Sequence, residues 1–341
     1  MPAPRKHRLL AAASCGLLVA AVLGIAGAAL AARELKLATL APKKSTWYAT
    51  FAAISADLEK ATGGALKVKI YPGGIHGDEK ATVAKIKTGL LDMSAVTAVG
   101  LSAIEPDVIA FELPYLFKSY KELDYVRDAL RPELEAKFQA KGYKILGWGD
   151  IGYLYVFSNM EIHAPEDLKK VRMWAWTEDP VSKTIGEVTG ASTVPLAVPD
   201  VLPSLSTGVC DAFVSSPYAT ISLGWASKVK FMAGTPVAIG IGATVLSKSV
   251  YDSLPPDQQK LLSTTGETRS KELVEKIRAD NKKAIDTLRT TGGVTVYTLT
   301  DAEKAAWAVM ADKTTAALTG KVISAAFLAK VKAKIAEFRA K

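Results

Sequence analysis

Cysteine is nearly absent from this 341-residue chain: Cys15 and Cys210 are its only two. Cys15 falls in an N-terminal stretch expected to be removed, so Cys210 stands alone and no intramolecular disulfide is available. Histidine is as scarce, and beyond His7 only His76 and His163 remain, far apart in sequence. There is no G-x-S-x-G elbow, no H-E-x-x-H, no phosphate-cradling glycine loop and no cluster of Cys and His ligands. These absences argue against an enzyme and imply no cofactor. After residue 32 no apolar run is long enough to span a bilayer. Basic residues are interleaved with acids rather than clustered, and no nucleic-acid module is present, which excludes nucleic acid as a partner. What remains is a binder.

The N-terminus is distinctive. "MPAPRKHR" is basic and free of acids, a long Ala/Leu/Val/Gly run follows, and Ala29-Leu30-Ala31 offers small residues for cleavage. Residues 1–31 are read as a secretory signal peptide, which places the mature protein in the periplasm. The alternative is an uncleaved anchor over Leu9 to Ala32; Ser14-Cys15 matches a lipoprotein site only weakly, because too little apolar sequence precedes it. Removing Arg5, Lys6 and Arg8 with the leader takes the net charge from +9 to +6, a mild field that favours small anions. The remaining chain, about 310 residues, is long enough for two domains.

From Glu34 onward strand-like and helix-like segments alternate. "LKLATLA", "ALKVKIYPGG" and "DMSAVTAV" read as strands. Between them lie a helix capped by Ser45 and stopped at Gly63-Gly64, and a helix opening on Asp78-Glu79. This β-α-β-α-β order predicts an α/β fold with a mostly parallel sheet. The grammar recurs after "YKILGWGDIGYLYVFSN", a strand expected to pass between two lobes. The expected organisation is lobe 1 over 33–150, lobe 2 over 151–239, and a return to lobe 1 over about 240–341. That return includes a long helix over about 256–291, with a weak spot near Gly266.

Two stretches nearly repeat each other: "KTGLLDMSAVT" (87–97) and "STGVCDAFVSS" (206–216). Gly89 and Gly208 are expected to end helices in the left-handed conformation. Asp92 and Asp211 are expected to hold the turns through side-chain to backbone hydrogen bonds. Ligands of parallel α/β sheets sit outside the carboxyl ends of the strands. Thr97, Ser215 and Ser216 are therefore candidates to meet across a cleft. Cys210 reads as a small buried hydrophobe, with a reactive thiol as the alternative.

"VRMWAW" would place Arg172, Trp174 and Trp176 on one face of a strand. An Arg fork takes a carboxylate bidentately and aromatic neighbours give it a dry wall. The alternative is a surface Arg beside core tryptophans. In "IHGDE", His76, Asp78 and Glu79 could hold a metal or simply open a helix.

Almost end to end, the chain resembles the extracytoplasmic solute receptors of TRAP transporters, the DctP-type family. The carrying stretches are "LKLATLAPKKSTWY", "LEKATGGALKVKIYPGGIHGDEK", "KTGLLDMSAVTAVGLSAI", "FELPYLF", "APEDLKKVRMW" and "STGVCDAF", in the family's order and spacing. The resemblance implies a two-lobed, type II-like periplasmic-binding-protein fold, a long helix spanning both lobes and a ligand closed between them. It also implies small and large membrane subunits as partners, and an organic acid held by an Arg that matches Arg172. The chain departs from the family pattern in three places. No Arg precedes Ser158-Asn159, Ser215 and Ser216 stand where many members have Asn, and the "DLKKVR" turn is short.

The expectation is thus a monomeric receptor for a small monocarboxylate with an apolar or aromatic body, with no metal. Arg172 would pair the carboxylate, and Trp174 and Phe213 would pack the body. Thr97, Ser215 and Ser216 would offer neutral hydrogen bonds, while Trp47, Tyr155 (or Tyr153) and Tyr218 would surround it. Trp47 could equally serve helix packing. On this reading Arg172→Ala weakens binding by about 2–5 kcal/mol. The rivals are a receptor for a neutral, hydrophobic ligand working with a periplasmic partner, and an exported enzyme on the same scaffold.

Overall fold

A computed structural model describes residues 32–177 and 179–341; the expected leader, residues 1–31, lies outside the described residues. The first lobe opens with β1 (Arg33–Thr39), α1 (Thr46–Ala61), β2 (Leu66–Tyr71), α2 (Glu79–Lys87), β3 (Met93–Thr97) and α3 (Ala98–Ser102). A 3-10 turn (Pro106–Glu112) and α4 (Tyr120–Ala140) follow, then β4 (Tyr143–Ser158). The second lobe takes β5 (Arg172–Trp176), α5 (Pro180–Thr189), β6 (Ser192–Leu196), α6 (Val198–Thr207), β7 (Ala212–Ser215), α7 (Pro217–Ser222) and β8 (Phe231–Ala233). The chain closes with β9 (Ala238–Ser247), α8 (Lys248–Asp252), α9 (Pro256–Thr290), β10 (Thr295–Tyr297), α10 (Asp301–Leu318) and α11 (Ala325–Arg339).

Local chemistry explains the boundaries. The Ser45 hydroxyl accepts from the Tyr48 N–H to start α1, and Asp78 caps α2 through the Glu79 N–H. Gly89 and Gly208 both have φ of +74°, as the repeat requires. The Asp92 and Asp211 side chains do not hold their own turns, the role the sequence suggests for them: each reaches the strand alongside instead. Asp92 accepts from the Lys36 N–H of β1 (2.8 Å) and Asp211 from the Arg172 N–H of β5 (2.7 Å). The two copies are thus equivalent, with Arg172 in the place of Lys36.

The strands run in the order β2-β1-β3-β9-β4-β7-β5-β6, with β8 and β10 branching from β4. Helix-linked strands pair in parallel, while β9 and β4 run antiparallel to their neighbours. The 16-residue β4 pairs with β9 in lobe 1 and with β7 and β8 in lobe 2, so it carries the sheet across. Its register shifts between Asp150 and Gly152, and Gly152 has φ of +104°, a conformation a side chain would strain.

Helix α9 lies along β4 and touches α1 of lobe 1 and α7 of lobe 2. It is unbroken at Gly266, where the sequence predicted a weak spot. Glycine is there for close approach: a Cβ would sit 2.9 Å from the Leu146 carbonyl oxygen of β4. Gly266→Ala is therefore expected to lower stability by about 1–3 kcal/mol from overpacking, less up to about 1 kcal/mol of helix-propensity gain. A urea midpoint that stays or rises would show that α9 can leave the strand without cost.

The C-terminal stretch, expected with lobe 1, divides. Helix α11 packs on α4, but α10 packs on α5 of lobe 2, and the Trp307 indole donates to the His163 carbonyl (3.0 Å). Tyr297, Leu299, Trp307 and Met310 belong to the core of that second lobe. Among the described residues no helix is long and apolar enough to cross a membrane.

Candidate functional site

The carboxyl ends of β1 and β3 face those of β5 and β7 across a cavity of about 280 Å³. Four indoles border it, those of Trp47, Trp174, Trp176 and Trp225. Trp174 is backed by its neighbours: its ring centroid lies 5.2 Å from that of Trp225, which in turn lies 5.1 Å from Phe213. Three of the indole N–H groups already have protein acceptors. Trp47 donates to the Asp150 carbonyl (3.3 Å), Trp174 to the Leu196 carbonyl (3.0 Å) and Trp176 to Asp78 Oδ2 (2.7 Å). These three rings therefore offer faces, not donors, to an occupant.

No Lys or Arg borders the cavity among the described residues; its charged residues are Glu79, Glu112, Asp150 and Asp179. The Asp150 carboxylate is fully buried and takes Arg127 (3.0 Å) and Arg278 (2.6 Å). Asp124 completes this cluster, pairing Arg127 at 2.8 Å and Arg278 at 2.7 Å, and the Arg278 guanidinium stacks 4.2 Å from the Tyr120 ring. Glu79 accepts from the Thr97 N–H (2.9 Å), the Thr97 hydroxyl (2.8 Å) and the Gly100 N–H (2.9 Å). Even so, burial pushes its pKa up to about 8. Asp179 heads α5, accepting from the N–H groups of Val181 and Ser182 (both 3.0 Å) and from the Ser182 hydroxyl; burial raises its pKa. Glu112 accepts from the Ile241 N–H (2.6 Å), and its pKa is pushed up to about 8, first by burial and then by Asp179 and Glu79.

The lobes are also latched directly. Trp176 of lobe 2 reaches Asp78 of lobe 1, as noted. The Tyr218 hydroxyl accepts from the Thr46 N–H at the start of α1 (2.8 Å) and contacts the Thr46 hydroxyl (3.0 Å), which donates to Asp280 of α9 (2.6 Å). The Tyr218 ring also lies 5.0 Å from Trp47. Asn281 of α9 accepts from the Tyr218 N–H (3.0 Å) and donates to the Ile151 carbonyl of β4 (2.9 Å).

Of the residues predicted from sequence, the cavity brings together Thr97, Trp47, Trp174 and Ser215. Arg172 is not among its lining residues. It stands at the start of β5, its side chain 55% exposed, paired with Asp211 at 2.7 Å. Trp174 is on the same face but two residues nearer the cleft, roughly 7 Å along the strand. Phe213 is fully buried in the lobe 2 core, stacked on Phe157 at 5.2 Å. Tyr155 belongs to the same core and pairs across the sheet with Ser215. Ser216 is the buried N-cap of α7, and Tyr218 serves the latch described above. Thr97 borders the cavity, but its hydroxyl is already held by Glu79. Asp78 and Glu79 turn to Trp176 and to Thr97 and Gly100 rather than toward His76. Cys210 is fully buried, and burial raises its thiol pKa.

The residues that sequence reasoning missed are Glu112, Asp179, Trp225 and the Asp150 cluster. "FELPYLF" carries only the family resemblance, and nothing local distinguishes Glu112 from a solvated acid. Buried acids were absent from the expectation because burial of a charged residue is a property of the whole fold.

The family model for DctP, "bacterial extracellular solute-binding protein, family 7", matches residues 37–320. The 2,3-diketo-L-gulonate-binding periplasmic protein YiaO of Escherichia coli is 24% identical over 300 residues, 85% of this chain and 88% of that protein. The C4-dicarboxylate-binding periplasmic protein DctP of Rhodobacter capsulatus is 26% identical over 252 residues, 73% and 75% of the two chains. Among solved structures, a TRAP periplasmic solute-binding protein from Citrobacter koseri with bound D-glucuronate matches with a TM-score of 0.80 at 25% identity. It covers 89% of this chain and 99% of its own. A Bordetella pertussis extracytoplasmic solute receptor binding pyroglutamic acid matches with a TM-score of 0.83 at 18% identity, covering 89% and 100%.

Proposed function

Because the chain belongs to the DctP family of bacterial extracellular solute-binding proteins, family 7, we propose that it is a TRAP-type receptor whose solute is uncharged and has an apolar, ring-sized body. It closes its lobes on that solute and presents it to the small and large membrane subunits of the transporter. The observation that carries the ligand class is the lining: four indoles and no cation among the described residues. A carboxylate placed there would be desolvated without a positive partner and would face Glu79, Glu112 and Asp179. The size supports a bicyclic body, since 280 Å³ is about twice the roughly 150 Å³ that admits benzene in an engineered cavity.

A small organic acid is the second reading, favoured by the ligands in the names of the relatives, 2,3-diketo-L-gulonate and C4-dicarboxylates. The two readings separate on a matched set at pH 7: indole-3-acetamide, indole-3-acetate and tryptamine, measured by titration calorimetry. The amide is expected to bind at least about tenfold more tightly than the acetate, the penalty for burying an anion with no cation beside it. Tightest binding by tryptamine would mean that the lining acids ionise to pair an ammonium, which overturns the uncharged reading. Tightest binding by the acetate would restore the carboxylate reading. Binding by none of the three would remove the ring-sized body.

A further inference from the structure

Of the four acids around the cavity, three have both carboxyl oxygens held by protein groups. The Thr97 hydroxyl holds Glu79, three indole N–H groups hold protein oxygens, and Asp150 is held by two arginines. Glu79 and Asp179 each have both oxygens hydrogen-bonded within their own lobe. Glu112 is different. Oε1 accepts from the Ile241 N–H, while Oε2 has no protein partner among the described residues, and the side chain borders the cavity. We propose that Glu112 is the group that reads the solute, its Oε2 forming a hydrogen bond to a neutral oxygen of the ligand.

This assignment rests on the proposed uncharged ligand and names its polar feature: one hydrogen-bond acceptor, such as an amide carbonyl or hydroxyl, on an apolar ring. Glu112 ends the 3-10 turn of lobe 1. It is faced by Asp179 at the head of α5 in lobe 2, by Glu79 at the start of α2 and by the Ile241 backbone of β9. Lys80 acts on Asp179 rather than on Glu112. With two acids facing it and water excluded, the closed cleft holds the Glu112 carboxyl neutral up to a pH of about 8. A neutral carboxyl has an O–H to donate, which an ionised one lacks. When the lobes part, Asp179 recedes and water reaches Glu112, whose ordinary pKa is 4.5. Closing on the ligand therefore takes up a proton between pH 4.5 and about 8, and affinity falls as pH rises through that window. Glu79 keeps all its hydrogen-bond partners inside lobe 1.

The test uses indole-3-acetamide and 3-methylindole, which lacks the amide, with the full mature chain at several pH values. Wild-type affinity for the amide is expected to fall by up to about tenfold per pH unit between pH 5.5 and 7.5. Titrations in buffers of different ionisation enthalpy should show proton uptake. Glu112→Gln keeps a donor and the Ile241 contact without needing a proton. Its affinity for the amide should match wild type within a few-fold at about pH 5, stay level as pH rises while wild type weakens, and come with about one proton fewer taken up. Glu112→Leu should lose the preference for the amide over 3-methylindole. Unchanged proton uptake in Glu112→Gln, or an intact amide preference in Glu112→Leu, would reduce Glu112 to a tie between its turn and β9. If wild type binds indole-3-acetate best or binds no member of the set, the uncharged-ligand reading fails instead, and this assignment falls with it.

Discussion

Asp150→Ala is expected to lower the stability of the protein by about 3–5 kcal/mol, the usual consequence of removing one partner from a buried ion pair. The carboxylate is fully buried and is shared by Arg127 from α4 and Arg278 from α9. Without it, two guanidinium groups face each other with Asp124 as their remaining acid. The loss falls where β4 leaves lobe 1, beside the register shift at Asp150 and Gly152, so the effect should reach the lobe connection as well as the core. Against a total stability of about 5–15 kcal/mol, such a loss is large. Urea unfolding of the variant measures it. A midpoint within experimental scatter of wild type would mean that water reaches the two arginines, and that the cluster is not closed.

Trp174→Ala is expected to cost about 3–5 kcal/mol of stability, as large aromatic deletions in cores do. Its effect on ligand affinity should also be large, at least about tenfold, because the ring is a buried aromatic wall of the cleft. Trp174 is only 8% exposed and packs on Trp225 and Trp176. Arg172→Ala, two residues earlier, is the contrasting case. Its ion pair with Asp211 is at the surface, where such pairs contribute about 0–1 kcal/mol. The Arg172 N–H keeps its bond to Asp211 in the alanine variant. Ligand affinity should therefore stay within about twofold, against the 2–5 kcal/mol loss that a clamping arginine would give. Parallel denaturation and calorimetry on the two variants distinguish the outcomes. A large affinity loss in Arg172→Ala with normal stability would put the arginine back at the ligand.

The sequence by itself determined the α/β grammar and the family, because these rest on short-range patterns. Ser45, Asp78, Gly89 and Gly208 announce element ends through local backbone chemistry, and all four act as caps or left-handed stops in the structure. The passage of β4 between lobes and the length of α9 were legible for the same reason: both are continuous patterns on one segment. The site was legible only in part. Alternation places Arg172, Trp174 and Trp176 on one face, but a two-residue period does not say which end of the strand meets the cleft. The Asp92–Lys36 tie, visible only in the fold, supplies that information: it makes Arg172 the counterpart of Lys36, which stands three residues short of the cleft end of β1 at Thr39. Tertiary structure alone decided the rest. The Thr46–Tyr218 latch joins residues 172 apart in sequence, and α10 docks on lobe 2 through a contact spanning 144. The character of the cleft was decided there too. A carboxyl such as Glu112 becomes a neutral hydrogen-bonding group only when surrounding lobes exclude water and bring other acids near it, and no local pattern encodes that environment.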